Sequence, residues 1–268
     1  MNGTSPGGAG RVWKVLLLLA TAAAAVGVAA WLRPIAQNPA YHRFADQRAL
    51  LGVPHALNVL SNVPFLIVGA WGLATVLGRR PRFAWPWERW PWALFMASVF
   101  CTGLGSGYYH LAPDNATLLW DRLAMVVGFA ALLAITLGER VDARAGALLA
   151  APLVALGLWG LLAGHPADLR WYGLLQAGTV LLVVLALALF PARYTGTRAI
   201  FQAMALYLLA SALEAGDGSI FRAGGIVSGH TLKHVAAALA AWRLGVMVRG
   251  RHVAGAGGHG PGDQPPSP

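Results

Sequence analysis

Apolar runs of about bilayer length recur along this chain of 268 residues, and they leave it few ways to fold. They lie at about 12–32, 56–78, 92–111, 119–138, 145–164, 171–191, 198–216 and 229–249, joined by short polar loops. Inside a bilayer the backbone must satisfy its own polar groups, so spans are helices or closed barrels. A barrel strand alternates polarity over about ten residues, and "GLLQAGTVLLVVLALALF" does not alternate. The pattern predicts an all-α integral membrane protein with eight helices. Residues 1–33 hold an N-terminal span and residues 34–250 one helical membrane domain. The Gly/Pro-rich tail, 251–268, has a composition that predicts disorder, with His252 and His259 as solvated bystanders.

A net charge of +10 raises the question of nucleic acid, but the basic residues follow the loops and form no basic face. With the N-terminus in the cytoplasm, 13 of the 20 lysines and arginines fall on the cytoplasmic side. The positive-inside rule therefore predicts both termini cytoplasmic, in a cell membrane. The first span has two basic residues, a long apolar stretch and small residues near its end, which are signal-peptide features. Its length favours a retained anchor. Cys101 is the single cysteine, which excludes an internal disulfide and a Cys-rich metal site. Trp85, Trp87, Trp90 and Trp92 fit an aromatic belt at the cytoplasmic interface.

Ionisable groups inside spans are costly and usually face the bundle interior. Under this topology His110 ends the third span, Asp121 and Arg122 begin the fourth, and His230 and His234 begin the eighth. All five fall at the outer end of the bundle. His230 and His234 are four residues apart, on one helical face, a spacing that lets two imidazoles reach one ion. Ser106 stands one turn before His110. Three histidines with an open fourth position form the ligand set of a catalytic zinc site, and iron or nickel would also accept imidazole. "HTLKH" has no glutamate between its histidines, which leaves Asp121 as the proton acceptor and Ser106 as a donor to a developing oxyanion. Taken singly, each has a plainer reading: a hydrogen-bonded helix-end histidine, a packing serine, an Asp121–Arg122 ion pair at the interface.

The segments "GSGYYHLAPDNATLLWDRL" and "YLLASALEAGDGSIFRAGGIVSGHTLKHVAAALAAW" resemble the alkaline ceramidase family, within the wider CREST group of seven-helix membrane hydrolases and receptors. The resemblance covers about residues 44–249. It rests on the Ser-x3-His pair, an Asp eleven residues after that His, and the HxxxH pair opening the last helix. It implies a seven-helix bundle with one zinc on His110, His230 and His234, Ser106 stabilising the oxyanion and Asp121 activating water. The activity it implies is hydrolysis of the amide of ceramide to a sphingoid base and a fatty acid, with the lipid partner entering sideways from the bilayer.

Two departures accompany the resemblance. The extra first span is consistent with a bacterial-type member. The calcium site of characterised members is built from acids before the first core helix, whereas "FADQRALLGVPHALNVLSN" offers only Asp46 and has His55 where a glutamate is expected. Calcium is therefore not expected, because a hard cation wants several oxygen ligands. Glu214 and Asp217 also fit the family pattern. They either orient a zinc histidine or pair with Arg222 or Lys233. Rival readings are a zinc-containing receptor of the adiponectin-receptor or progestin-receptor kind, a haem protein with axial histidines, and, more remotely, a transporter.

Overall fold

A computed structural model of the chain describes residues 6–79, 81 and 83–254. Those residues are mostly helical, with no strands among them: α1 (Pro6–Trp31), α2 (Ala56–Leu60), α3 (Val63–Leu77), α4 (Arg89–Leu111), α5 (Asn115–Arg140), α6 (Ala143–Gly164), α7 (Arg170–Leu189), α8 (Thr197–Ala215), α9 (Asp217–Gly224) and α10 (Gly229–Gly250). Six segments are long and apolar enough to cross a membrane: 10–31, 56–77, 115–140, 143–164, 170–189 and 197–215. Large apolar side chains such as Leu148, Leu156 and Leu208 point outward from them, as lipid-facing residues do. The expected spans at 92–111 and 229–249 are helical, as α4 and α10, but do not reach that apolarity. These two helices carry Ser106 and His110, and His230, Lys233 and His234.

Helix α4 lies between α3 and α5, and α10 lies between α3 and α8. Their facing residues make the main core, where Trp92, Met96 and Val99 of α4 meet Ala238, Leu244 and Val248 of α10. Helix α1 sits outside this bundle and touches α7, with Leu18 against Ala186 and Phe190. The segment 56–77 is broken after Leu60, and Pro64 opens its second part. Trp92 departs from its expected interfacial place: it is 2% exposed and donates through Nε1 to Glu139 at 2.7 Å. Trp85 and Trp90 remain exposed. Of the tail, residues 255–268, including His259, lie outside the described residues, whereas His252 is exposed.

The ends that carry the polar residues are set by local chemistry. Asp114 caps α5 by accepting the Thr117 backbone N–H at 2.7 Å, and that interaction holds its carboxyl below the usual range. The cap starts the helix at Asn115 rather than 119, so Asp121 stands nearly two turns inside it. Ser228 caps α10 in the same way, through the Thr231 N–H at 3.1 Å. His230 then falls in the first turn, where backbone N–H groups lack helical partners. Asp217 accepts that of His230 at 2.8 Å.

Candidate metal centre

His110 from α4 and His230 and His234 from α10 converge, all three buried, with ring nitrogens within 4.8 Å of one another. Their orientation is held from behind. Ser61, between α2 and α3, donates its hydroxyl to the Asn58 carbonyl at 2.9 Å, leaving its oxygen to accept Nδ1–H of His234 at 2.7 Å. Glu214 faces Nδ1 of His230 at 3.5 Å and ion-pairs with Lys233 through its other oxygen. Nδ1–H in both rings leaves Nε2 with its lone pair. Nε2 of His230 lies 3.3 Å from Nε2 of His110. Two nitrogens at that distance need a proton or a cation between them. Tetrahedral bonds of about 2.0–2.1 Å would separate ligand nitrogens by about 3.3 Å. The donor set therefore fits a metal ion.

The segment between α1 and α2 closes over this cluster. Phe44, 4% exposed, packs against the rings of His110 and His230 with centroids 4.7 and 4.5 Å away. Asp217 ties the segment down by accepting the Ala45 N–H at 2.9 Å with the oxygen that His230 does not use. His55 reaches the His110 carbonyl at 3.1 Å from a left-handed backbone conformation, φ 45°, a strained state for a non-glycine residue. Asp46 is not available to a cation. Arg48 holds it with Nε and Nη2, each at 2.8 Å, and keeps its carboxyl below the usual range. The same guanidinium donates to the carbonyls of Gly225 and Ile226.

Ser106 lies one turn before His110 and is buried, and the half-buried Asp121 comes up against the same stretch of α4, its backbone N 3.1 Å from where a Cβ on Gly105 would stand. This meeting depends on Gly105. A Cβ there would come within 2.5 Å of the Trp120 carbonyl oxygen, so only glycine lets α4 and α5 approach so closely beside the pair. Arg122 is 6% exposed and does not make the ion pair with Asp121 that is the plainer reading of the two residues. It bonds to the Gln37 side-chain oxygen and approaches Nδ1 of His165 at 3.4 Å.

Every residue expected at the site is thus at one end of the bundle, and five of them, Ser106, His110, Asp121, His230 and His234, come from three helices that pack around it. Glu214 does both things considered for it: it meets a zinc-ligand candidate and pairs with Lys233. Asp217 supports His230 through the backbone and leaves Arg222 to Ser219. "NVLSN" (58–62) also resembles the family, but sequence reasoning assigned no role to Ser61, Asn58, Phe44 or Tyr41. Asn58, Ser61 and Asn62 are all buried, and their spacing of three and four places them along one face of an otherwise apolar segment. That pattern was a usable signal. Compared with known proteins, the chain matches no family model, no curated protein and no solved structure.

Proposed function

We propose that this protein is a membrane-embedded, zinc-dependent amide hydrolase that cleaves ceramide or a related acyl-amide lipid into a fatty acid and an amine. The observation that carries this reading is the meeting of three buried histidines, with buried Ser106 one helical turn before His110 and Asp121 on the helix packed against it. A metal on His110, His230 and His234 would supply Lewis acidity toward the carbonyl and lower the pKa of water. Imidazole ligands without thiolate or added carboxylate favour zinc.

The chain's own groups then account for the remaining chemistry. Asp121 accepts a proton from the attacking water and returns it to the amine nitrogen as the C–N bond breaks. Ser106 donates a hydrogen bond to the carbonyl oxygen as it gains negative charge. Glu214 and Ser61 keep the histidine rings turned inward. Phe44 covers one side and excludes water from it. An amphiphile with its amide near headgroup depth suits a site at the end of the bundle. In this reading α4 and α10 complete eight spans, the termini are cytoplasmic and the site faces outward.

The close packing of the three histidine rings, with centroids 4.8–5.0 Å apart, favours a single ion over a porphyrin between axial ligands. Asp121 beside Ser106 favours a hydrolase over a receptor. The test is metal analysis of purified protein together with fatty-acid release from a panel of acyl amides, with and without chelator. Near one zinc per chain and chelator-sensitive release are expected. Protein without zinc, or release that persists after its removal, rejects the proposal.

A further inference from the structure

Two arginines are buried in the described structure, and their surroundings differ. Arg251 pairs with Glu139. Arg122 has no carboxylate within 4.0 Å among the described residues. Its hydrogen-bond partners are neutral: the Gln37 amide oxygen and Nδ1 of His165. His165 donates from Nε2 to the Asn115 carbonyl at 2.7 Å, so its Nδ1 is the acceptor. Burial, with the charge of Arg122 as a lesser contribution, holds the pKa of His165 below its ordinary value. The rings of Tyr41 and Tyr172 lie 5.8 and 5.0 Å from the guanidinium carbon. A guanidinium has five N–H donors, and these contacts occupy two. A buried cation that keeps its charge calls for an anion.

The position of Arg122 says which part of a ligand would supply that anion. It follows Asp121 directly in α5. Tyr41 packs beside the guanidinium, in the segment that also carries Phe44 over His110 and His230. Arg122 is therefore next in α5 to the group that, in the hydrolase reading, returns a proton to the leaving nitrogen, and beside the segment that covers the histidines.

We infer that Arg122 forms a binding site for an anionic group on the amine half of the substrate, so that the preferred substrates are acyl amides whose amine carries a carboxylate or a phosphate. This rests on the hydrolase reading above. Arginine suits either anion, because its planar fork can donate two parallel hydrogen bonds to carboxylate or phosphate.

The experiment compares three amides of equal acyl length: a neutral ceramide, an N-acyl amino acid and a ceramide phosphorylated on its headgroup. Wild-type protein, Arg122→Gln and Arg122→Lys are each checked for zinc content and thermal stability. The wild type is expected to favour at least one anionic amide over the neutral one. In Arg122→Gln the ratio of anionic to neutral kcat/KM falls by about 10–100-fold, mainly through KM, and Arg122→Lys recovers part of it. The carboxylate and phosphate arms distinguish the two anions. Hydrolysis without anionic preference, or an equal loss on all three amides in Arg122→Gln, overturns the inference and leaves the hydrolase reading standing. Binding of the same amides is also measured by calorimetry on zinc-loaded protein. Binding of the anionic amides that is lost in Arg122→Gln, with no hydrolysis of any amide, supports the anion site and rejects the hydrolase. Binding that is indifferent to the substitution overturns the anion site.

Discussion

Ser61 shows how much of this centre depends on groups that are not ligands. Its oxygen takes the Nδ1–H of His234, which fixes the ring's tautomer and turns Nε2 inward. Ser61→Ala should weaken zinc binding by about 10–100-fold, measured by competition with a chelator of known affinity. His234→Ala should abolish stoichiometric binding altogether. Asp121→Asn is expected to keep zinc at wild-type stoichiometry while fatty-acid release falls below about 1% of wild type, since an amide cannot accept the proton. Retained turnover would remove Asp121 from its assigned role. The histidine cluster was legible in the sequence because HxxxH spacing and an ionisable group in a span are local, costly features. Ser61 and Phe44 were not, because their importance lies in which ring they meet after folding. Arg122 was legible only as unusual: adjacency in sequence suggested an ion pair with Asp121, but successive helical residues project about 100° apart.

At the scale of the helix, the site depends on how closely α4 and α5 can approach. Gly105→Ala would set a methyl 2.5 Å from the Trp120 carbonyl oxygen, and the strain should destabilise the protein by about 1–3 kcal/mol. The expected signature is a lower Tm together with reduced turnover, because Ser106 and Asp121 flank that contact. The loop before α7 gives a pH test away from the site. Arg170 ion-pairs with Asp168 at 2.7 Å and brings its carboxyl down to about 2 from 3.8. A depressed acid stabilises the fold above its unfolded value and loses that contribution as pH falls through the folded one. The Tm difference between wild type and Asp168→Asn should therefore be present at neutral pH and shrink between about pH 4 and pH 2. Helix existence was readable from apolar length alone. The start of α5 was misjudged by about one turn because the Asp114 cap recruits polar residues into the helix. The fall in apolarity of α4 and α10 has a compositional cause: they carry Ser106 and His110, and His230, Lys233 and His234.

Over the whole molecule, orientation remains the most direct test of the proposed topology. With Cys101 replaced, Ala167→Cys, exposed at the site end, should react with an impermeant thiol reagent from outside intact cells. Thr195→Cys, exposed at the other end, should not. The reverse pattern would invert the protein. Overall helical architecture could be read early because the bilayer admits so few backbones, whereas the fold of residues 32–55 over the cluster could not, since nothing in their composition names their partner. That segment has a kinetic consequence. Phe44 and the Ala45–Asp217 hydrogen bond lie against the histidines, so on that side an ion held there would exchange only as the segment lifts away. With zinc as that ion, loading and loss would be slow, history-dependent events, and a protein assembled without it would stay empty long after zinc was supplied.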